Sequence, residues 1–294
     1  MEEQLLAFLN YLEQEYQYSG NTIAAYKNDL SQFLRFLMQQ KGFSNASAHW
    51  HNISQQDVDA YVAFMKEKAY ASSSVARKVA AVKSFFNFLY ARGIISENPT
   101  TKIESPKVKK RLPKALSSEE VERLLAAPMA KKTPKHLRDT ALLHTLYATG
   151  MRVTEVVSLQ LVDVDLKNET LACPGKDDET RVLPFDDKTR TILSEYLENG
   201  RPYLVKDANE QALFLNHRGQ QLTRQGLWLI IKAYARQANL SIDVTPHTLR
   251  HSFAAHKLES GTGIQEVQRL LGHANISTTQ IYTQLTEEEE SDAG

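Results

Sequence analysis

Apolar residues recur at helical spacing through the first hundred positions. Leu5, Leu6, Phe8, Leu9 and Leu12 form one stripe, and Tyr18, Ser19, Gly20 and Asn21 interrupt it. A second stripe opens at Thr22, uses Ile23, Tyr26, Leu30, Phe33, Leu34 and Leu37, and ends near Gly42. Ser54 followed by Asp57 predicts a capping box that starts a third helix through Val58, Tyr61, Phe64 and Met65. The fourth stripe begins among Ser72, Ser73 and Ser74, runs through Val75, Val79, Val82, Phe86 and Leu89, and stops at Gly93. Four stripes can cover one another, so an all-helical N-terminal domain is expected. Its aromatic residues sit at core spacing and read as packing, not as platforms for stacked bases. Arg77, Lys78 and Lys83 fall off the last stripe, where they are either scattered exposed charges or contacts to phosphates.

Beyond Asn98-Pro99 the pattern lapses until Ser117-Ser-Glu-Glu120, a second capping box, which opens a helix with Val121, Leu124 and Leu125. Residues 138–149 are apolar on most sides and predict a buried helix ending at Gly150. A short amphipathic turn from Met151 to Leu159 follows directly. Thr170-Leu-Ala-Cys173 and Thr180-Arg-Val-Leu-Pro184 alternate as two strands of a hairpin, with Lys176 near its tip. Residues 186–203 and 224–239 read as helices, the second capped by Thr223. Leu213-Phe-Leu215 reads as a brief extended piece. The whole is mainly α with a small β-sheet.

The densest chemistry lies between Thr245 and Tyr282. Thr245 as N-cap and Pro246 at the first helical position open a helix whose first turn carries His247 and Arg250 on one face. Unpaired N–H groups beside a guanidinium make a place for a phosphate. A second amphipathic segment, Ile264 to Leu271, stops at Gly272 and is followed at once by His273; after a Ser/Thr-rich stretch comes Tyr282. The stretch thus offers anion donors, a base and a phenolic nucleophile. Earlier in the chain, Arg152 and Glu155 are three apart and can meet on one helical face, which alone is compatible with an ordinary surface ion pair. A lysine at a hairpin tip such as Lys176 can be delivered to a substrate or can simply stay in water.

Composition narrows the classes. With 294 residues and 42% hydrophobic content the chain can build two cores, and its single cysteine, Cys173, forms no internal disulfide, which favours a reducing, cytoplasmic setting. Acidic residues interrupt the apolar N-terminus, so neither a signal peptide nor a membrane span is expected there. Formal net charge is zero, but Glu287, Glu288, Glu289, Glu290 and Asp292 crowd the tail. The rest of the chain is therefore net basic. Lys102, Lys107, Lys109, Lys110, Arg111 and Lys114 form a basic, proline-containing linker, either a solvated connection or a strap along a phosphate backbone.

Thr-Gly-Met-Arg152-Val-Thr-Glu155, Gly-Lys176, His247-Thr-Leu-Arg250-His251, Leu-Leu-Gly-His273 and Ile-Tyr282-Thr, in this order, resemble the active-site boxes of the tyrosine site-specific recombinases. Residues 19–37 and 72–99 look like that family's N-terminal core-binding (SAM-like) domain, and the absence of anything before it is similar to the short Xer subgroup. The resemblance implies a four-helix core-binding domain over 1–104, a basic linker over 105–116, an α+β catalytic domain over 117–286 and an acidic tail over 287–294. It implies Tyr282 as nucleophile on DNA, Lys176 as general acid, His247 as general base, and Arg152, Arg250 and His273 on the non-bridging phosphate oxygens. Glu155 would hold Arg152, and His251 would support the site. Arg77, Lys78, Lys83, Lys107, Lys109, Lys110 and Arg111 are the expected DNA contacts.

The same resemblance implies no cofactor and no metal: a guanidinium stays charged and can neutralise the phosphate. The spacing of His247 and His251 also fits a zinc pair, but no Glu stands between them to act as base and Arg250 would repel the cation. Expected partners are double-stranded DNA with inverted-repeat half-sites, further copies of the chain in dimers and tetramers clamped around it, and a paralogous recombinase or a DNA translocase. Chromosome or plasmid dimer resolution is the expected role; a mobile-element integrase or a non-cleaving DNA-binding protein are the alternatives. Three features depart from the family, one of them the neutral overall charge, which predicts modest non-specific binding. Asp177, Asp178 and Glu179 follow Lys176 where family members often carry Gly and another basic residue, and the segment after Tyr282 is short and acidic.

Overall fold

The computed structural model describes residues 1–41, 49–104, 115–174, 180–241 and 243–272. It divides into two compact units, Met1–Lys110 and Arg111–Gly294.

The first unit is built on the four expected stripes. They form α1 (Glu2–Tyr16), α2 (Gly20–Lys41), α3 (Gln55–Glu67) and α4 (Ser72–Ala91). At the start of α3 both the backbone N–H and the hydroxyl of Ser54 donate to the Asp57 carboxylate at 2.7 Å, so the capping box forms as its spacing predicts. Phe8, Phe33, Tyr61, Phe85, Phe86 and Leu89 are fully buried, and Trp50 packs edge-on against Phe85 with ring centroids 4.7 Å apart. Each such side chain contributes about 1.5–3 kcal/mol by leaving water. The aromatic stripe is a core, as its spacing indicated.

Lys78 corrects the expectation for its surroundings. It does not lie off the buried stripe: it is 5% exposed, and its ammonium donates to Asp29 at 2.8 Å and to Gln32 at 2.6 Å. Asp29, itself buried on α2, draws the charge inward, because an apolar stripe read from α4 alone does not show what the facing helix offers. Its ammonium is therefore not available to a phosphate. Lys83 is half-buried and donates to the Ile103 carbonyl at 2.9 Å, whereas Arg77 pairs with Asp29 while 52% of its side chain stays exposed.

The second unit surrounds one buried helix. In chain order it comprises α5 (Ser118–Ala126), α6 (Pro134–Thr149), α7 (Val153–Ser158), β1 (Val164–Asp165), β2 (Thr170–Pro174), β3 (Thr180–Pro184), α8 (Asp187–Asn199), α9 (Arg224–Gln237), α10 (Pro246–Glu259) and α11 (Ile264–Leu271). Ala141, Leu142, Leu143 and Leu146 of α6 are buried. The strands pair antiparallel in the order β1-β2-β3, with Leu171 opposite Leu183 and Cys173 opposite Arg181. Strand β1 was not expected, because two residues carry no period. Helix α6 starts four residues before Arg138, where Thr133 caps it and Pro134 takes the first position. Helix α8 ends at Asn199, and Arg201–Tyr203 continue as a 3-10 turn.

Several buried polar groups in this unit are satisfied across elements. Arg138 donates to Asp139 and to the Leu215 carbonyl, and the Tyr234 hydroxyl donates to Asp139 at 2.8 Å. The Leu116 N–H reaches the Ser252 hydroxyl at 2.8 Å, which ties the start of the unit to α10. Among the described residues, no helix is long and apolar enough to cross a membrane.

Candidate active site

Helix α10 begins where Thr245 and Pro246 predict: the Thr245 hydroxyl accepts from the Thr248 N–H, and proline occupies the first turn. His247 in that turn is exposed. One position short of a full turn later, Arg250 points inward and is 6% exposed. Its Nη1 donates to the Gly150 carbonyl and its Nη2 to the Leu271 carbonyl, both at 2.6 Å. These carbonyls stand at the C-terminal ends of α6 and α11. Helix C-termini carry unpaired carbonyls and partial negative charge, so a buried cation is stabilised there.

Gly150 permits this arrangement for two reasons. It closes α6 at φ +59°, and a Cβ there would lie 2.4 Å from the Phe253 ring. Phe253 can therefore pack over the turn, and α10 approaches close enough for Arg250 to reach it.

Arg152 follows two residues later as the N-cap of α7. The Glu155 carboxylate takes the Arg152 backbone N–H on Oε2 and the Arg152 Nη1 on Oε1, both at 2.7 Å. This is half of a capping box with a salt bridge added, so the two residues meet as their spacing predicts. Arg152 Nη2 donates to the Gly272 carbonyl at 2.7 Å, and 43% of the side chain remains exposed. Burial works against charge on Glu155. The hydrogen bonds from Arg152 and the nearby Arg181 and Arg152 charges outweigh it and hold the carboxyl below its usual range.

The two arginines thus rest on consecutive carbonyls, Leu271 and Gly272, at the end of α11. That single turn brings together residues about a hundred positions apart. His251, on α10, is 3% exposed, so the two histidines four apart differ sharply in access to solvent. Among the described residues, no group of three or more His, Cys, Asp or Glu is placed to hold a metal ion. Lys176, His273 and Tyr282, and the linker residues Lys107, Lys109, Lys110 and Arg111, lie outside the described residues.

Arg181 was missed by the sequence reading. It sits on β3 with its Nη2 at 2.9 Å from Glu155 Oε1 and 3.3 Å from Cys173 Sγ. The signal was present: Arg181 shares the alternation of buried Leu183, and a charge on an inward face calls for a partner. His256 is half-buried and bonded to the Tyr147 hydroxyl at 2.7 Å.

Residues 114–289 match the model of the phage integrase family, and residues 5–93 match that of the phage integrase N-terminal SAM-like domain. The chain is 50% identical over 290 residues to tyrosine recombinase XerC of Roseiflexus castenholzii, covering 98% of this chain and 90% of the relative. It is 43% identical over 280 residues to tyrosine recombinase XerD of Listeria monocytogenes, covering 95% and 93%. The fold is shared with the XerH site-specific recombinase bound to a palindromic difH substrate in a post-cleavage complex. There the TM-score is 0.74 at 22% identity, with 99% of this chain and 94% of that chain covered.

Proposed function

The chain belongs to the phage integrase family as a tyrosine recombinase of the Xer type, and on that premise we propose that Arg152, Lys176, His247, Arg250, His273 and Tyr282 carry its site-specific DNA recombination. Tyr282 attacks the scissile phosphate. A 3′-phosphotyrosyl bond forms as the bond to the 5′ oxygen breaks, and the leaving oxygen departs as a hydroxyl. One phosphodiester replaces another, so the energy of the broken bond is conserved. The 5′-hydroxyl of a partner strand then reverses the step, and exchange passes through a Holliday junction.

A phenol has a pKa near 10 and the leaving alkoxide is far more basic, so proton removal at Tyr282 and proton delivery at the leaving oxygen both lower the barrier. His247, exposed on the first turn of α10, is the base, and Lys176 the acid. Arg152, Arg250 and His273 accept the negative charge that builds on the non-bridging oxygens. The observation that carries this reading is the anchoring of Arg250 on the Leu271 carbonyl and of Arg152 on the Gly272 carbonyl, immediately before His273 in the sequence. Cations fixed before substrate arrives stabilise the transition state without reorganising.

In this reading residues 1–104 bind the core of the site, 105–116 lie along the phosphate backbone with Lys107, Lys109, Lys110 and Arg111, 117–286 cut and rejoin, and 287–294 form the tail. Arg77 and Lys83 add phosphate contacts; Lys78 is excluded by its ion pair with Asp29. The protein acts in the cytoplasm as two dimers on paired inverted-repeat sites, with a paralogue or DNA translocase as further partner, and resolves chromosome dimers. The names of the XerC and XerD relatives support that role.

Covalent trapping tests the proposal. The protein is incubated with sheared DNA of its own host and denatured, and the DNA that stays attached is sequenced, with Tyr282→Phe in parallel. Adducts that vanish in the Phe variant and gather at one inverted-repeat locus are expected. Adducts that persist in Tyr282→Phe would remove the nucleophile assignment. A locus flanking a mobile element would remove the chromosomal role.

A further inference from the structure

A third guanidinium stands behind the pair that faces the phosphate, and the reaction above leaves it without a role. Arg181 lies on the face of the hairpin that carries buried Leu171, Cys173 and Leu183. Only 18% of its side chain is exposed. Its Nη2 binds Glu155 Oε1 at 2.9 Å, the same oxygen that accepts Arg152 Nη1 at 2.7 Å. The other oxygen, Oε2, holds the Arg152 backbone N–H. The backbone N–H anchors Oε2, but with only the flexible Arg152 side chain on Oε1 that oxygen can swing and carry Arg152 Nη1 with it. With Arg181 Nη2 also on Oε1, that oxygen is held by two guanidiniums.

Arg181 also crosses the turn that receives Arg152. Gly272 closes α11 at φ +62°, and a Cβ there would lie 1.3 Å from Arg181 Nη1. The guanidinium therefore runs across the Gly272 backbone, whose carbonyl takes Arg152 Nη2. Both anchors of Arg152 are thus braced by one side chain. That side chain leaves β3 one residue after Thr180, where the described strand resumes beyond Lys176.

We propose that Arg181 is a positioning residue for strand cleavage: by fixing Glu155 and packing over the Gly272 turn, it sets the place of the Arg152 guanidinium. The inference rests on the site reading above. An ion pair that only stabilised the fold would need neither the shared oxygen nor the passage over Gly272. Misplacing a catalytic group by about 1 Å can cost on the order of 100-fold in rate.

The test is single-turnover cleavage of a nicked duplex carrying the inverted-repeat site recovered by trapping, with Kd for the same duplex measured alongside. Arg181→Ala is expected to cleave about 100-fold more slowly with Kd unchanged. Arg181→Lys, which keeps the charge, should recover part of the rate. In the Glu155→Gln background, Arg181→Ala should add little further loss, because both act through one carboxylate. Losses that multiply in the double variant, or an Arg181→Ala variant as fast as the parent, would overturn the inference. If Arg181→Ala does not fold, Arg181→Gln keeps the stem and carries the same comparison. Failure of the parent protein to form Tyr282-dependent adducts on this duplex would instead overturn the site reading itself.

Discussion

Among the described residues each of the two units contains a carboxylate shared by two cations, and the two clusters do different things. In the first unit Asp29, 1% exposed, holds buried Lys78 and the outward-facing Arg77. In the second, Glu155 holds inward-facing Arg181 and Arg152, which is 43% exposed. The difference lies in what surrounds the outer cation. Arg77 and Lys78 sit on one regular helix facing another, and the apolar core fixes both helices whether or not the charges pair. Arg152 sits where α7 begins, α11 ends and β3 passes, and its second contact is a helix-terminal carbonyl. Between two helices the motif clamps; at a junction of element ends it aims a charge.

The largest expected effect tests the clamp. Asp29→Ala leaves the Lys78 ammonium buried without an anion and should cost about 3–5 kcal/mol of stability, read from denaturant unfolding. Glu155→Ala, whose cations both keep some access to water, should cost clearly less stability while slowing cleavage. Equal losses of stability in the two variants would erase the distinction drawn between the clusters.

A smaller effect comes from a buried group whose burial outweighs the nearby Asp186 charge. His144 on α6 is 4% exposed with no hydrogen-bond partner at Nε2, and burial lowers its pKa to about 4. Its folded-state pKa is below the unfolded value, so the unfolded chain takes up the proton first as pH falls below about 6.5. Stability present above that pH is lost on acidification, by about 2 kcal/mol between pH 7 and pH 5. His144→Leu should flatten this part of the Tm profile; an unchanged slope would show that other groups cause it.

The smallest effect separates structure from binding within the Asp29 cluster. Arg77→Ala removes an exposed partner and should change stability by less than about 1 kcal/mol. If Arg77 also meets a phosphate, the salt dependence of DNA binding should weaken by roughly one unit of slope. An unchanged slope would confine Arg77 to the clamp.

Helix placement was legible because burial imposes a period that survives in the sequence. The stripes of α1 to α4 and the caps at Ser54, Ser117, Thr223 and Thr245 all stand where local spacing put them. Arg152 meeting Glu155 was legible for the same reason, since three residues on one helix are neighbours in any fold. The partners of Lys78 and Arg181 were not. Lys78 is engaged by a residue 49 positions away on α2, and Arg181 by a carboxylate on α7 and a turn at the end of α11. No local period encodes such partners.

The sequence by itself determined where the helices and the strand hairpin form, which side of each is buried, and which residues belong to the recombinase boxes. Only the tertiary structure decided how the charges are disposed. Arg250 is buried against two helix ends, Arg152 is left facing solvent, and Arg181 is set behind Glu155. The physical reason is that a guanidinium's role depends on what neutralises it. Here those groups include the Glu155 carboxylate and the carbonyls of Gly150, Leu271 and Gly272, and a carbonyl is a group every residue possesses, its direction fixed only when α6, α7 and α11 come together.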